Sequence, residues 1–220
     1  MEKTTVIIVD DHPLVREGLS RILQKEQWIE VVDEAENSEQ AVMKVAQKNP
    51  DVVTVDISLE ENMSGIQLIQ SLSKRFPSIK IVVISMHESA VFAERSVKAG
   101  AHAYVTKKEA GRDIANVIRE VLAGKLYIEN RLSDRLMHNL LRGGEGETEP
   151  DKILSNRELE YYSLLGNGFT ASEIARRMSV SINAVESYRR RIKDKLAIDN
   201  AALLSRSAVK WVINRGINID

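Results

Sequence analysis

The chain has 220 residues, 31 Lys/Arg against 32 Asp/Glu, a formal net charge of −1, and no cysteine. Disulfide scaffolds and thiolate metal sites are thereby excluded; with no apolar stretch near the roughly 20 residues of a membrane span and no signal-peptide core, the sequence predicts a cytoplasmic protein. The charge is uneven: residues 1–123 carry 15 Lys/Arg and 19 Asp/Glu, 124–151 carry four and six, and 152–220 carry 12 and seven, so the last third is the part suited to a polyanion.

The chain opens on Val6-Ile7-Ile8-Val9, then sets Leu14, Val15, Leu19, Ile22 and Leu23 at helical spacing. Val31-Val32 precedes Ala41, Val42, Val45 and Ala46, and Val52-Val53-Thr54-Val55 precedes Leu68, Ile69 and Leu72. Ile81-Val82-Val83-Ile84 is followed by the weaker set Val91, Phe92 and Val97, and Ala103-Tyr104-Val105 by Ile114, Val117, Ile118, Val121 and Leu122. The short runs are β-branched and nearly continuous, which suits strands buried on both faces of a parallel sheet. Strand and helix alternate five times, predicting a doubly wound five-stranded α/β domain over residues 1–123. Gly100 fits the end of the fourth helix, where a left-handed residue is commonly needed.

Residues 124–151 read as a linker with one short helix, lined by Leu132, Leu136 and Leu140 and followed by the glycine- and glutamate-rich stretch from Gly143 to Pro150. That stretch lacks the preceding strand and following Lys-Ser/Thr of a phosphate cradle. Residues 152–220 form a second, smaller all-α domain. Ser155-x-x-Glu158 and Thr170-x-x-Glu173 have capping-box spacing, Gly168 precedes the second cap, and Ile174, Ala175 and Met178 give the second helix a packed side. Ser181 caps a third helix with Val185, Ile192 and Leu196 inward and Tyr188, Arg189, Arg190, Arg191, Lys193 and Lys195 mostly outward. A fourth begins near Asn200 with Leu203, Leu204, Ala208, Val212 and Ile213. Short helix, tight turn and basic helix have the order of a helix-turn-helix.

In open parallel sheets, ligands sit beyond the carboxyl ends of the strands near the switch point. Asp10-Asp11, Asp56, Ser85 and Lys107 all follow strand runs and therefore converge. Taken singly, Asp11 could cap a helix before Pro13, Asp56 could be a turn residue, Ser85 a cap and Lys107 a solvated charge, but these readings do not predict the joint placement. Clustered carboxylates repel unless a cation joins them or a pKa rises. Mg2+ prefers oxygen ligands and often bridges one or two carboxylates to a phosphate. An Asp carboxylate can then attack phosphorus, with Mg2+, the Lys107 ammonium and the Ser85 hydroxyl neutralising charge. The histidines His12, His87, His102 and His138 lack metal-ligand spacing and read as ordinary polar residues, and Trp28 and Trp211 as packing residues.

Val6 to Pro13, Asp56, Ile84-Ser85 and Ala99-Gly100-Ala101-x-x-Tyr104-x-x-Lys107 together resemble the receiver domain of two-component response regulators, a flavodoxin-like fold. The resemblance implies that Asp56 accepts phosphate from a phosphohistidine on a sensor histidine kinase. It further implies that Asp10, Asp11, Asp56 and the Ser58 main-chain carbonyl hold Mg2+, that Ser85 and Tyr104 reorient on phosphorylation, and that Lys107 pairs with the phosphoryl group. The sequence departs from the family after Asp56: Glu60 stands where a proline is usual, and Gly65 comes nine residues on instead of eight, leaving an acidic loop one residue longer. Met86 follows the serine where many receivers have a small residue. A haloacid-dehalogenase-type phosphohydrolase would carry a second Asp at the position of Ser58, so an enzyme is not expected.

Leu154-Ser155-x-Arg157-Glu158-Leu159-Glu160, Gly168-Phe169-Thr170-x-x-Glu173-Ile174-Ala175 and Val180-Ser181-x-x-Ala184-Val185-Glu186-x-Tyr188 resemble the LuxR-type helix-turn-helix. Receiver followed by this module is the layout of NarL/FixJ-type regulators. It implies double-stranded DNA as a partner, contacted by Glu186, Ser187, Arg189, Arg190, Arg191 and Lys193, and a homodimer using the fourth helix around Leu203 and Val209. Arg176 and Arg177 are weaker candidates. The family's usual Thr-Val-Lys-x-His is here Ala184-Val185-Glu186-Ser187-Tyr188, placing a carboxylate where a DNA-contacting lysine is common. Glu186 can accept from a cytosine amino group, which predicts an atypical target site. A signalling adaptor with a receiver switch and no specific DNA binding is the alternative that Glu186 leaves open.

Overall fold

The β-branched runs fold as strands covered on both sides, as their lack of alternation requires. The computed structural model describes residues 2–59, 64–86, 90–129, 132–133 and 149–215, and the chain divides into two compact units, Met1–Arg142 and Gly143–Asp220. The expected acidic loop at residues 60–63, His87, Leu136, His138, Leu140 and the glycine-rich residues 143–148 lie outside the described residues.

The first unit runs β1 (Thr4–Val9), α1 (Pro13–Leu23), β2 (Ile29–Ala35), α2 (Ser38–Lys48), β3 (Val52–Asp56), α3 (Gly65–Arg75), β4 (Lys80–Ser85), α4 (Ala90–Lys98), β5 (Ala103–Thr106), α5 (Lys107–Leu122) and β6 (Tyr127–Ile128). The sheet order is β2-β1-β3-β4-β5-β6, with parallel pairing throughout. The first five strands are those expected. The sixth lies within the expected linker: Gly124, at φ +83°, turns the chain after α5, and the Tyr127 amide then donates to the His102 carbonyl at 3.0 Å. Two residues carry no periodicity, so this strand left no sequence signal.

Alternate residues of the central strands serve opposite layers. Val6, Ile8, Val52, Val82 and Val105 join Leu19 and Leu23 of α1 and Ile114, Val117 and Ile118 of α5 in one buried cluster. Ile7, Val53, Ile81 and Val83 are equally inaccessible, facing the opposite layer as the strand period of two demands. Gly100 ends the turn after α4 at φ +109°, as expected. Gly65 is needed for a different reason: a Cβ there would stand 2.7 Å from the Asp56 carbonyl oxygen and from the Ile57 backbone, so α3 can start this close to the end of β3 only without a side chain.

The second unit comprises α6 (Glu149–Ile153), α7 (Asn156–Gly166), α8 (Ala171–Arg177), α9 (Ile182–Lys195) and α10 (Ala201–Arg215). Both expected capping boxes are closed, Ser155 with Glu158 and Thr170 with Glu173, and Ser181 caps α9 by accepting from the Ala184 amide at 3.2 Å. Leu204, Ala208, Trp211 and Val212 of α10 are buried, whereas Leu203, Val209 and Ile213 are exposed. Helix α6 spans the expected boundary at residues 151 and 152. Its Asp151 accepts from the Trp211 indole at 3.0 Å, and the Tyr162 hydroxyl donates to Ser207 at 2.7 Å, so α6, α7 and α10 are joined by polar links as well as by packing.

The contact of α7 with α10 is close enough that a Cβ on Gly166 would lie 2.5 Å from the Ala208 carbonyl oxygen. Gly18, inside α1, has nothing within 4 Å of the same position. Gly166→Ala is therefore expected to destabilise the second unit by about 1–3 kcal/mol through overpacking, while Gly18→Ala stabilises the first by up to about 1 kcal/mol through helix propensity. Urea titration of each variant, followed by far-ultraviolet circular dichroism, reads both signs.

Candidate functional site

Four strand ends bring the predicted pocket together. Asp10 directly follows β1, with its amide bonded to the Ala35 carbonyl at 3.1 Å, and Asp56 is the last residue of β3. Ser85 ends β4 and pairs with Thr106 of β5, which places Lys107 at the first position of α5. The Lys107 Nζ lies 2.8 Å from Asp10 Oδ2 and 2.8 Å from Asp56 Oδ2. Both carboxylates are almost wholly removed from solvent, and Ser85 and Tyr104 are fully so. The joint placement inferred from the strand ends is thus realised at hydrogen-bonding distance for three of the residues.

The remaining acceptor positions are also used. The Ser58 amide donates to Asp56 Oδ1 at 2.8 Å, and the His12 amide donates to Asp10 Oδ1 at 2.8 Å. Asp11 is exposed beside them, its Oδ1 2.6 Å from His12 Nδ1. Asp10, Asp11, His12 and Asp56 offer ligand atoms that all lie within 4.8 Å of one another. His12 therefore belongs to a cluster from which spacing rules excluded it, because its place beside the carboxylates comes from the β1 to α1 turn and not from a ligand repeat. Arg16 was also missed: its guanidinium donates to the Asp10 carbonyl oxygen at 2.7 Å and lies 3.5 Å from Glu34, bracing the turn that carries both aspartates.

The pocket holds more negative than positive charge. Burial pushes the Asp10 carboxyl above its ordinary range, and the neighbouring Asp56 carboxylate pushes it further, against the lowering effect of Lys107. For Lys107, burial works to lower the pKa, but Asp56 and Asp10 outweigh it and hold the ammonium above its ordinary value. Such a set of hard oxygen donors with surplus negative charge suits a divalent cation of the Mg2+ type.

In the second unit, α9 departs from expectation at Tyr188. Its side chain is buried with Val185 and Ile192, its ring centroid 6.5 Å from that of Tyr161. The three buried positions follow helical spacing, and the run of charges around Tyr188 concealed it. Of the predicted contact residues, Glu186, Arg190 and Arg191 are exposed and Ser187, Arg189 and Lys193 half-buried. Glu186, Arg190 and Lys193 follow one another at four- and three-residue spacing away from that buried stripe. Ser187 donates back to the Asn183 carbonyl at 2.9 Å, and Arg189 donates to the Tyr161 hydroxyl at 3.2 Å while lying 3.0 Å from Glu186. Lys195, expected outward, reaches Glu158 at 2.6 Å and closes onto the first capping box. Arg177 lies over the Phe169 ring at 4.0 Å. Among the described residues no helix is long and apolar enough to cross a membrane.

Comparison with known proteins bears on both units. Residues 6–119 match the response regulator receiver domain and residues 152–208 the luxR family of bacterial regulatory proteins. The oxygen regulatory protein NreC of Staphylococcus epidermidis is 30% identical over 210 residues, covering 93% of this chain and 96% of NreC. RcsB from Salmonella enterica serovar Typhimurium, bound to the promoter P1flhDC in the presence of the phosphomimetic BeF3−, is 28% identical with a TM-score of 0.58 and coverage of 94% and 98%. A structure of two RcsB dimers bound to two parallel DNAs is 26% identical with a TM-score of 0.59, covering 93% and 97%.

The raised Asp10 pKa fixes a sign for stability. Below about 3.8 the group is protonated folded and unfolded alike and its contribution to stability is fully present; as pH climbs from there through the raised folded value it must ionise in a buried site, and that contribution is lost. Asp10→Asn is expected to raise stability at pH 7 without divalent ions by about 0.5–2 kcal/mol, and Lys107→Met to lower it by about 3–5 kcal/mol through leaving buried carboxylates unpaired. Denaturant midpoints between pH 4 and pH 8 read both effects.

Proposed function

This chain belongs to the response regulators, with a receiver domain and a LuxR-type DNA-binding domain, and on that premise we propose that Asp56 is its phosphoacceptor. The supporting observation is the Lys107 ammonium held 2.8 Å from both Asp10 and Asp56 at the carboxyl ends of the central strands. The Asp56 carboxylate attacks phosphorus of a phosphohistidine on a sensor kinase, the P–N bond breaks, and its electron pair stays with the imidazole, which takes up a proton. Lys107 then pairs with the phosphoryl group, and the Ser85 hydroxyl turns to donate to it, followed by Tyr104. Asp10, Asp11, Asp56 and the Ser58 main-chain carbonyl would hold Mg2+, which when bound neutralises charge on the phosphoryl oxygens. The chain is consumed as an acceptor in this reaction and is no turnover enzyme.

The response is DNA binding by the second unit. Helix α9 enters the major groove, with Glu186, Ser187 and Arg190 toward base edges and Arg189, Arg191 and Lys193 toward phosphates. Arg189 does so from an anchored position, since Tyr161 and Glu186 already hold it. Paired half-sites call for a homodimer, for which the exposed Leu203 and Val209 of α10 supply an apolar contact. The protein acts in the cytoplasm, with residues 1–123 as receiver, 124–151 as connection and 152–220 as DNA-binding module. The exposed Glu186 carboxylate favours one second reading, a signalling adaptor whose helical unit binds no specific DNA.

Two measurements test this reading. In the presence of Mg2+ and a small-molecule phosphodonor, wild type is expected to gain at least about fivefold in DNA affinity, and Asp56→Ala to take up no phosphate and gain nothing; an equal gain in the variant contradicts the assignment. Glu186→Lys is expected to raise affinity for all sequences and to shift selected half-sites away from a cytosine at the contacted position, worth about 1–3 kcal/mol of discrimination. Selection from a random duplex pool shows whether the preference moves; an unchanged preference means that Glu186 does not face the bases.

A further inference from the structure

Glu129 follows β6, at the point where the chain leaves the sheet of the first unit. Its amide donates to the Tyr104 carbonyl at 3.3 Å, extending the parallel pairing in which Tyr104 faces Ile128. Its carboxylate Oε2 accepts from the Thr106 hydroxyl at 3.0 Å and from the Thr106 amide at 3.4 Å. Its carbonyl accepts from the amides of Leu132 and Ser133 at 2.8 and 3.0 Å, and Leu132 is buried. One residue thus bonds back to β5 through Tyr104 and Thr106 and forward to Leu132 and Ser133.

Thr106 is the residue that makes this contact consequential. It is buried, pairs with Ser85 across the sheet, caps α5 by accepting from the Glu109 amide at 3.2 Å, and immediately precedes Lys107. Its hydroxyl donates to Glu129 and accepts from the Glu109 amide. A hydrogen bond to an ionised carboxylate is roughly twice as strong as one between neutral groups, and close-packed surroundings pass small displacements on instead of absorbing them. Thr106 is bonded covalently to Lys107 and paired in register with Ser85, so it touches two of the pocket residues through the main chain, and it is held by the segment that leads out of the unit.

We infer that Glu129 is a positioning residue that couples the state of the Asp56 pocket to the chain leading to the DNA-binding unit, through its hydrogen bonds to Thr106 and Tyr104. The inference rests on the proposed phosphorylation switch. It differs from that proposal in assigning transmission to a residue outside the pocket, in a segment whose sequence reads as linker. Through Glu129 the turn at Leu132 and Ser133 is tied to Thr106 while Lys107 spans the two carboxylates, and a changed Thr106 alters that tie.

The test uses the full chain with acetyl phosphate as phosphodonor and Mg2+ present, reading phosphate uptake and DNA affinity with and without phosphodonor. Glu129→Ala is expected to take up phosphate as wild type does and to bind DNA equally when unphosphorylated, while the gain on phosphorylation falls from at least about fivefold to below about twofold. Glu129→Gln, which keeps a carbonyl acceptor, restores most of the gain, and Thr106→Val repeats the loss. A wild-type gain retained in Glu129→Ala overturns the inference and leaves the switch standing, as does loss of DNA binding in both states, which marks a merely structural role. Absence of any gain in wild type overturns the switch itself, and the inference with it.

Discussion

A single ammonium group placed between two buried carboxylates governs the receiver pocket. Lys107 sits 2.8 Å from both Asp10 and Asp56, and its attraction for them outweighs the burial that works to lower its pKa. One cation cannot balance Asp10, Asp11 and Asp56 together, so the pocket is left with surplus negative charge, and burial with the nearby Asp56 raises the Asp10 carboxyl. A site of this kind is electrostatically unfinished. Its surplus of hard oxygen donors is of the kind that suits a divalent cation, and the phosphoryl transfer proposed for Asp56 would offer Lys107 a new partner.

The fold supplies that arrangement from its topology. Parallel strands point their carboxyl ends the same way, and the order β2-β1-β3-β4-β5-β6 sets β1 beside β3 and β4 beside β5, so residues far apart in sequence meet beyond the carboxyl ends of the strands. Local devices finish the placement: Arg16 braces the turn after β1, Gly65 lets α3 begin against the Asp56 backbone, and Thr106 caps the helix that carries Lys107. In the second unit a similar device recurs with Lys195 and Glu158, where a cation on α9 meets the carboxylate that caps α7.

Much of this was legible in the residue order because the physics was local and periodic. Continuous β-branched runs announced the buried strands, and the chemistry-bearing residues stood directly after them. Capping boxes at Ser155 and Thr170 marked two helix starts for the same reason. What stayed hidden depends on long-range geometry. The two residues of β6 pair only because a turn at Gly124 returns the chain to the sheet, and His12 joins the acidic cluster through the path of a turn. Tyr188 was misplaced although its three- and four-residue spacing from Val185 and Ile192 put it on the buried stripe; the surrounding arginines drew the reading outward. An aromatic within a basic run is better judged by helical phase than by the charge of its neighbours.

The central claim, that this electrostatic pocket exists to hold a phosphoryl group on Asp56, is open to direct chemical mapping. An aspartyl phosphate is an activated acyl group that borohydride reduces to homoserine, leaving a mass change at the residue that carried it. Wild-type protein treated with acetyl phosphate and Mg2+, reduced, digested and sequenced by mass spectrometry, is expected to show homoserine at position 56 alone. Homoserine at Asp10 or Asp11, or none in a sample that binds its DNA more tightly after the same treatment, would contradict the account.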